Sequence, residues 1–237
     1  MLHDHPQSES VSSGVTLAFV LAAEPTRAAA FRTAMTAVLH AGFSFGQDQP
    51  GQLVYSYDAQ GDHYVTPPII PAGSITELGH ALTCLDQIAH HYNQSISLGF
   101  VCSAATVPVT GRVYDEADSL VITLDFACMS WRRFVAAHHS PRIAAVTLLA
   151  TGRTLFTLLP LAHLLIGPST LLLALPARLD QALLDMTPIV MLAAVQAEPL
   201  VQSVQQALHV EHLPRGPVFV RQWDVSKQVI LDHVAQL

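Results

Sequence analysis

The sequence predicts an α/β fold: a mixed, partly parallel sheet with helices packed on it, and an N-terminal half closer to α+β. Three observations carry this expectation. Strand-length apolar runs alternate with helical patterns through residues 170–237, and strands separated by single helices favour parallel pairing through crossovers. Residues 96–127 hold two strand patterns joined by a turn-rich excursion, which suits a hairpin and hence a mixed sheet. Between these regions, residues 143–175 form an apolar tract in which only Arg153 and His163 can carry charge, as expected of elements covered on both faces.

Taken in order, residues 1–14 are polar and lack the basic and apolar segments of a secretory signal, so a flexible tail is expected there. Residues 15–237 are read as a single α/β domain, with 138–142 as the place where a sub-domain boundary would fall. Residues 15–22 make the first strand, and Glu24-Pro25 suits the first turn of a helix that runs to Ala41 and stops at Gly42. Phe31, Met35, Val38 and Leu39 give that helix its apolar stripe, with Arg27, Arg32 and Thr36 elsewhere around the wheel. Residues 52–58 are the next strand, followed by a proline-rich loop over 66–73. Ser74-Ile75-Thr76-Glu77 is a capping box opening a helix to about Tyr92.

Residues 96–102 and 120–127 are strands, with turns expected between 107 and 119. In the second strand Leu120, Ile122, Leu124 and Phe126 alternate with Val121, Thr123 and Asp125, which predicts one drier and one wetter face. The apolar tract divides at Gly167-Pro168, punctuation that ends helices. It is expected to form a buried helix over 143–166, bent near Pro160, and a central strand over 170–175. Arg142 and Arg178 bracket the tract on both sides and set no membrane orientation. Beyond it come helix 177–186, strand 188–195, helix 199–208, a turn over 213–217, strand 218–223 and a closing helix from Ser226.

Composition narrows the function classes. Charged residues make up 12% of the chain against roughly 25% in ordinary soluble domains, so the surface must show Gln, Ser, Thr, His and apolar groups. Such surfaces favour self-association or a protein partner. A net charge of −7 and a single lysine, Lys227, oppose a phosphate-tracking surface, and nucleic acid is not expected as a partner. Cys84, Cys102 and Cys128 are widely spaced with no C-x-x-C, which indicates neither a disulfide framework nor a zinc knuckle and makes a reducing, cytoplasmic setting the default. Neither of the two common phosphate-cradling loops occurs: G-x-G-x-x-G and the Walker loop are both absent.

Three groups of residues remain as site candidates. Trp131-Arg132-Arg133-Phe134 follows directly on a strand, with His138 and His139 near the same edge. Tryptophan and arginine are the residues of interface hot spots, and arginine matches carboxylate or phosphate geometry. The plainer alternative is a packed tryptophan beside a snorkelling arginine pair. On the capped helix, His80 and Cys84 are at i, i+4, a spacing that lets imidazole and thiolate share one transition-metal ion; a solvated helix face is the plainer reading. Asp58, Asp62 and His63 supply a carboxylate and an imidazole for acid and base work, or simply a polar turn.

The function expected from these features is a non-catalytic, cytoplasmic binding protein that engages a protein partner or itself through a charge-poor surface. A small-molecule enzyme, metal-dependent in one version, using His80 and Cys84 or Asp58, Asp62 and His63, is the competing expectation. Conditional membrane insertion through 143–175 is the third, although a membrane partner is not favoured.

Overall fold

A computed structural model of the chain describes residues 14–21, 27–45, 55–57, 95–116, 119–172, 179, 184, 187, 189–198 and 208–221. The strands are β1 (Val15–Leu21), β2 (Phe43–Phe45), β3 (Tyr55–Tyr57), β4 (Ser95–Cys102), β5 (Val107–Glu116), β6 (Ser119–Phe126), β7 (Leu161–Pro168), β8 (Ile189–Ala193), β9 (Leu208–Leu213) and β10 (Gly216–Arg221). The helices are α1 (Arg27–His40), α2 (Cys128–Ala137) and α3 (Pro141–Leu158), with single helical turns at Ser169–Leu172 and Ala194–Ala197. All ten strands form one sheet in the order β2-β4-β5-β6-β1-β7-β8-β10-β9, with β3 also on the outer edge of β4. Every described ladder is antiparallel.

The expected mixed, partly parallel sheet is therefore corrected, and the reason is topological. β6 and β7 are both antiparallel to β1, so they run in the same direction with α2 and α3 crossing between them, as a crossover demands. β1 is inserted between them. The same device recurs where β8 and β9 run in one direction with β10 between them. The first is a split β-α-β unit: the crossover sets strand direction, and the inserted strand removes the parallel neighbour.

The apolar tract is the second correction. Ser140 accepts hydrogen bonds from the backbone N–H groups of Arg142 and Ile143 at 3.1 and 3.4 Å, and Pro141 occupies the first helical position, so α3 starts with both standard signals. It ends at Leu158 because Leu159, preceding Pro160, is extended at φ −119°, ψ 149°. Pro160 stops the helix where a bend was expected. The following Leu161–Pro168 is strand β7, which hydrogen-bonds β1 on one edge and β8 on the other. Gly167-Pro168 ends that strand, and of the strand expected over 170–175 the described residues, 170–172, belong instead to the helical turn Ser169–Leu172. The turns expected over 107–119 are largely β5, a ten-residue strand.

Side chains on the two faces separate into two cores. Leu17, Phe19, Ile122, Leu124, Leu164 and Ile166 face α1, α2 and α3, where Phe31, Met35, Trp131, Phe134 and Leu148 meet them. Each such side chain contributes about 1.5–3 kcal/mol on burial. The opposite face carries a smaller core of Ala18, Leu165, Val190 and Leu192 with Leu172, Leu184 and Ala197. Helix α1 stops at Gly42, which adopts φ +98°, a conformation open to glycine at a helix end. Gly152 lets α3 approach the sheet, since a Cβ there would lie 2.9 Å from Met191 Sδ and 3.2 Å from Leu164.

Candidate functional site

The outer face of α3 carries a row of exposed apolar side chains. Ile143, Val146 and Leu158 are 52%, 51% and 37% exposed, and Ala150 and Thr154 lie exposed between them. The spacing 143, 146, 150, 154, 158 is one stripe of a helix. Four threonines on this helix do not make it polar. Thr147, Thr151, Thr154 and Thr157 donate their hydroxyls to the carbonyls of Ile143, Thr147, Ala150 and Arg153 at 2.9–3.2 Å. With the hydroxyls bonded to the helix's own turns, the methyl groups define the surface.

Charge is drawn away from the stripe. Arg153 forms a two-point pair with Glu211 of β9, Nε to Oε2 at 2.7 Å and Nη2 to Oε1 at 2.6 Å. His209 Nε2 lies 2.9 Å from the same Oε1. The Arg153 guanidinium, with His209 adding, holds the Glu211 carboxyl down to about 2, and the same pair pushes Arg153 up. Arg215, in the two-residue turn between β9 and β10, donates to the carbonyls of Thr157 and Leu158 at 3.1 Å each, closing the C-terminal end of α3. These bonds pin the C-terminal half of α3 to the last hairpin of the sheet.

A second cluster lies on the smaller-core face. Asp125 of β6 is only 9% exposed. Thr16, directly opposite in the β1–β6 ladder, donates its hydroxyl to Asp125 Oδ1. Thr16 has one hydrogen, so in its 2.9 Å contact with Ser169 the serine is the donor. Gly167, the partner of Thr16 on β7, adds no side chain to this face. Arg112 Nε is 3.8 Å from Asp125 Oδ2. Burial pushes the Asp125 carboxyl up, while Thr16, Arg112 and Thr123 act in the opposite direction. The wetter face expected for this strand is thus polar and covered, since Thr123 is as buried as its apolar neighbours.

The residues singled out from sequence divide. Trp131 is fully buried and stacks on Phe134 at 5.8 Å between ring centroids. His138 packs over Phe134 at 4.3 Å, and its Nδ1–H donates to the Phe134 carbonyl at 2.7 Å. Arg132 is half-buried, Arg133 is exposed, and His139 is exposed with φ +59°. Trp131, Phe134 and His138 are brought together as one packed stack, whereas Arg133 and His139 lie on the solvent side. The expectation of a ligand edge beyond β6 borrowed from parallel sheets, and β6 has antiparallel neighbours on both sides.

His80, Cys84, Asp58, Asp62, His63 and the capping box at Ser74 lie outside the described residues, as do residues 1–13, 199–207 and 222–237. Among the described residues, no three His, Cys, Asp or Glu side chains are grouped to hold a metal ion, and no helix is long and apolar enough to cross a membrane. Cys102 and Cys128 are buried free thiols, and burial pushes Cys102 up, away from the reactive thiolate.

Sequence reasoning missed both Asp125 as a site and β9 as a strand. The first had a signal in the alternation of Thr123 and Asp125 with a dry face; the second in Leu208-His209-Val210-Glu211-His212-Leu213 running directly into Pro214-Arg215-Gly216. No protein-family model matches the chain, and no curated protein matches it.

Proposed function

We propose that this chain is a non-catalytic, cytoplasmic binding protein that takes an apolar helix of a partner protein along the outer face of α3. The observation that carries the reading is the row Ile143, Val146, Ala150, Thr154 and Leu158, exposed on a helix whose threonine hydroxyls are already bonded internally. At 18 residues and 1.5 Å per residue, α3 offers a contact about 27 Å long. Small residues at its middle permit close approach of a second helix. The low charge of the whole chain, 12%, and the free thiols at Cys102 and Cys128 support the charge-poor surface and the reducing compartment.

The test is a pair of substitutions at exposed positions, Ile143→Glu with Val146→Glu, which leave the core untouched. Immobilised native protein is expected to recover one stoichiometric partner from an extract of its native host. The double variant, with an unchanged circular dichroism spectrum, is expected to bind that partner about a hundredfold more weakly. Equal recovery by both proteins, or recovery by neither, would count against the reading.

A further inference from the structure

Strand β9 ends the sheet order, so among the described residues one of its edges carries no ladder. A bare edge is a template for another strand unless charge, proline or a bulge blunts it. Between Leu208 and Leu213 there is no lysine, arginine or proline, and Val210 in the middle is 48% exposed. The only acidic group on the strand, Glu211, shares its face with His209 two residues away.

We propose that β9 pairs antiparallel with β9 of a second copy of this chain, in the register that places Val210 opposite Val210. This goes beyond the α3 reading and rests on a different surface. A two-fold axis normal to the sheet keeps the faces of the two sheets aligned, so residues directly opposite each other must share a face. That requirement leaves few registers. Centring on Glu211 sets two carboxylates against each other. Centring on His209 or His212 places Glu211 opposite Ala207 or Leu213, with no polar partner. Centring on Val210 sets Glu211 of each copy opposite His209 of the other, on the face where each His209 already lies 2.9 Å from its own Glu211. The opposite face then buries Val210 against Val210 and Leu208 against His212. Hydrogen-bonding and apolar cross-strand pairs are the stabilising kinds, and the pairing is self-complementary. The two sheets would continue as one across the axis.

The native chain and three single variants test this. By light scattering, the native chain is expected at twice its 25.5 kDa mass. Val210→Lys, an exposed change that sets two ammonium groups against each other, is expected to move the dimer midpoint to a concentration about tenfold higher or more. Its circular dichroism should be that of the native chain, and its thermal unfolding should lose the concentration dependence that dimerisation gives the native chain. Val210→Cys should give a disulfide-linked dimer on mild oxidation, because directly opposed residues of an antiparallel pair fall within disulfide reach. The native chain and Val195→Cys, exposed on another element, should not.

A native chain that stays monomeric, a folded Val210→Lys that stays dimeric, or a Val210→Cys that fails to cross-link would each overturn the proposal. Loss of the dimer in Ile143→Glu/Val146→Glu but not in Val210→Lys would assign self-association to α3 and overturn the β9 register. Loss of partner recovery in the α3 variant with the dimer retained leaves both readings standing. Dimer loss in Val210→Lys with partner recovery unchanged separates the two surfaces in the same way.

Discussion

Asp125 reaches its covered position because Thr16 lies opposite it in the β1–β6 ladder and offers the carboxylate a hydroxyl. Burial raises its pKa above the ordinary value of 3.8, so the folded state holds a proton that the unfolded chain has already released. A group of this kind stabilises most below 3.8, and its contribution is lost as the pH rises through the raised value. Asp125→Asn keeps the acceptor for Thr16 and removes the titration. Its stability relative to the native chain, measured by urea unfolding across a pH series, should climb from pH 3.8 upward and then level off. Constant spacing between the two curves would show that Asp125 has the same pKa folded and unfolded. Thr106 has a different local cost: it holds φ +52° in the turn between β4 and β5 with its side chain exposed. A β-branched residue is poorly suited to that region and asparagine tolerates it. Thr106→Asn should raise unfolding stability by about 1 kcal/mol, and an unchanged denaturation midpoint would contradict that.

At the scale of elements, α3 depends on two different contacts with the sheet. Its middle comes close through Gly152, against Met191 and Leu164, and its far end is tied to the β9–β10 hairpin through Arg153 and Arg215. Gly152→Val puts two methyl groups where a single Cβ is already too near, and should cost about 1–3 kcal/mol in chemical denaturation. A neutral result would mean that Met191 yields freely. The end of α1 was legible in Gly42, because it rests on local backbone chemistry, whereas Ser140-Pro141, which caps and opens α3 two residues before the expected start at 143, was read as a boundary. β7 was not. Leu161-Ala162-His163-Leu164-Leu165-Ile166 has no strand-favouring alternation of polarity, and only its place between β1 and β8 makes it a strand. Of the candidate site, the apolar tract was visible in the sequence. Which half of it would face outward depended on where the helix stopped, and on Glu211, 58 residues away from Arg153.

For the whole molecule, the same division holds between local and distant information. Strand–helix–strand spacing was taken to mean parallel pairing, whereas β6 and β7, which do run in one direction, are kept apart by β1, whose Thr16 is 109 residues from Asp125. No window of sequence contains both ladders of β1. The hairpins β4–β5 and β5–β6 pair neighbours in the chain, and the strand patterns of β4 and β6 were accordingly readable. β5 was hidden by Gly111 and by the flanking Asp115 and Glu116, residues that elsewhere mark turns.

The insertion of β1 also sets an order of events during synthesis. β1 leaves the ribosome first among the described strands, yet the two strands that flank it begin at Ser119 and Leu161. At roughly 5–20 residues per second, the first of these appears about 5–20 s after β1 has emerged. Throughout that interval Val15–Leu21, a run with neither charge nor proline, is a bare apolar strand with two open edges. Among the described strands β1 therefore waits longest for its native ladder partners, and folding yield in the cell depends on what shields it until β6 arrives.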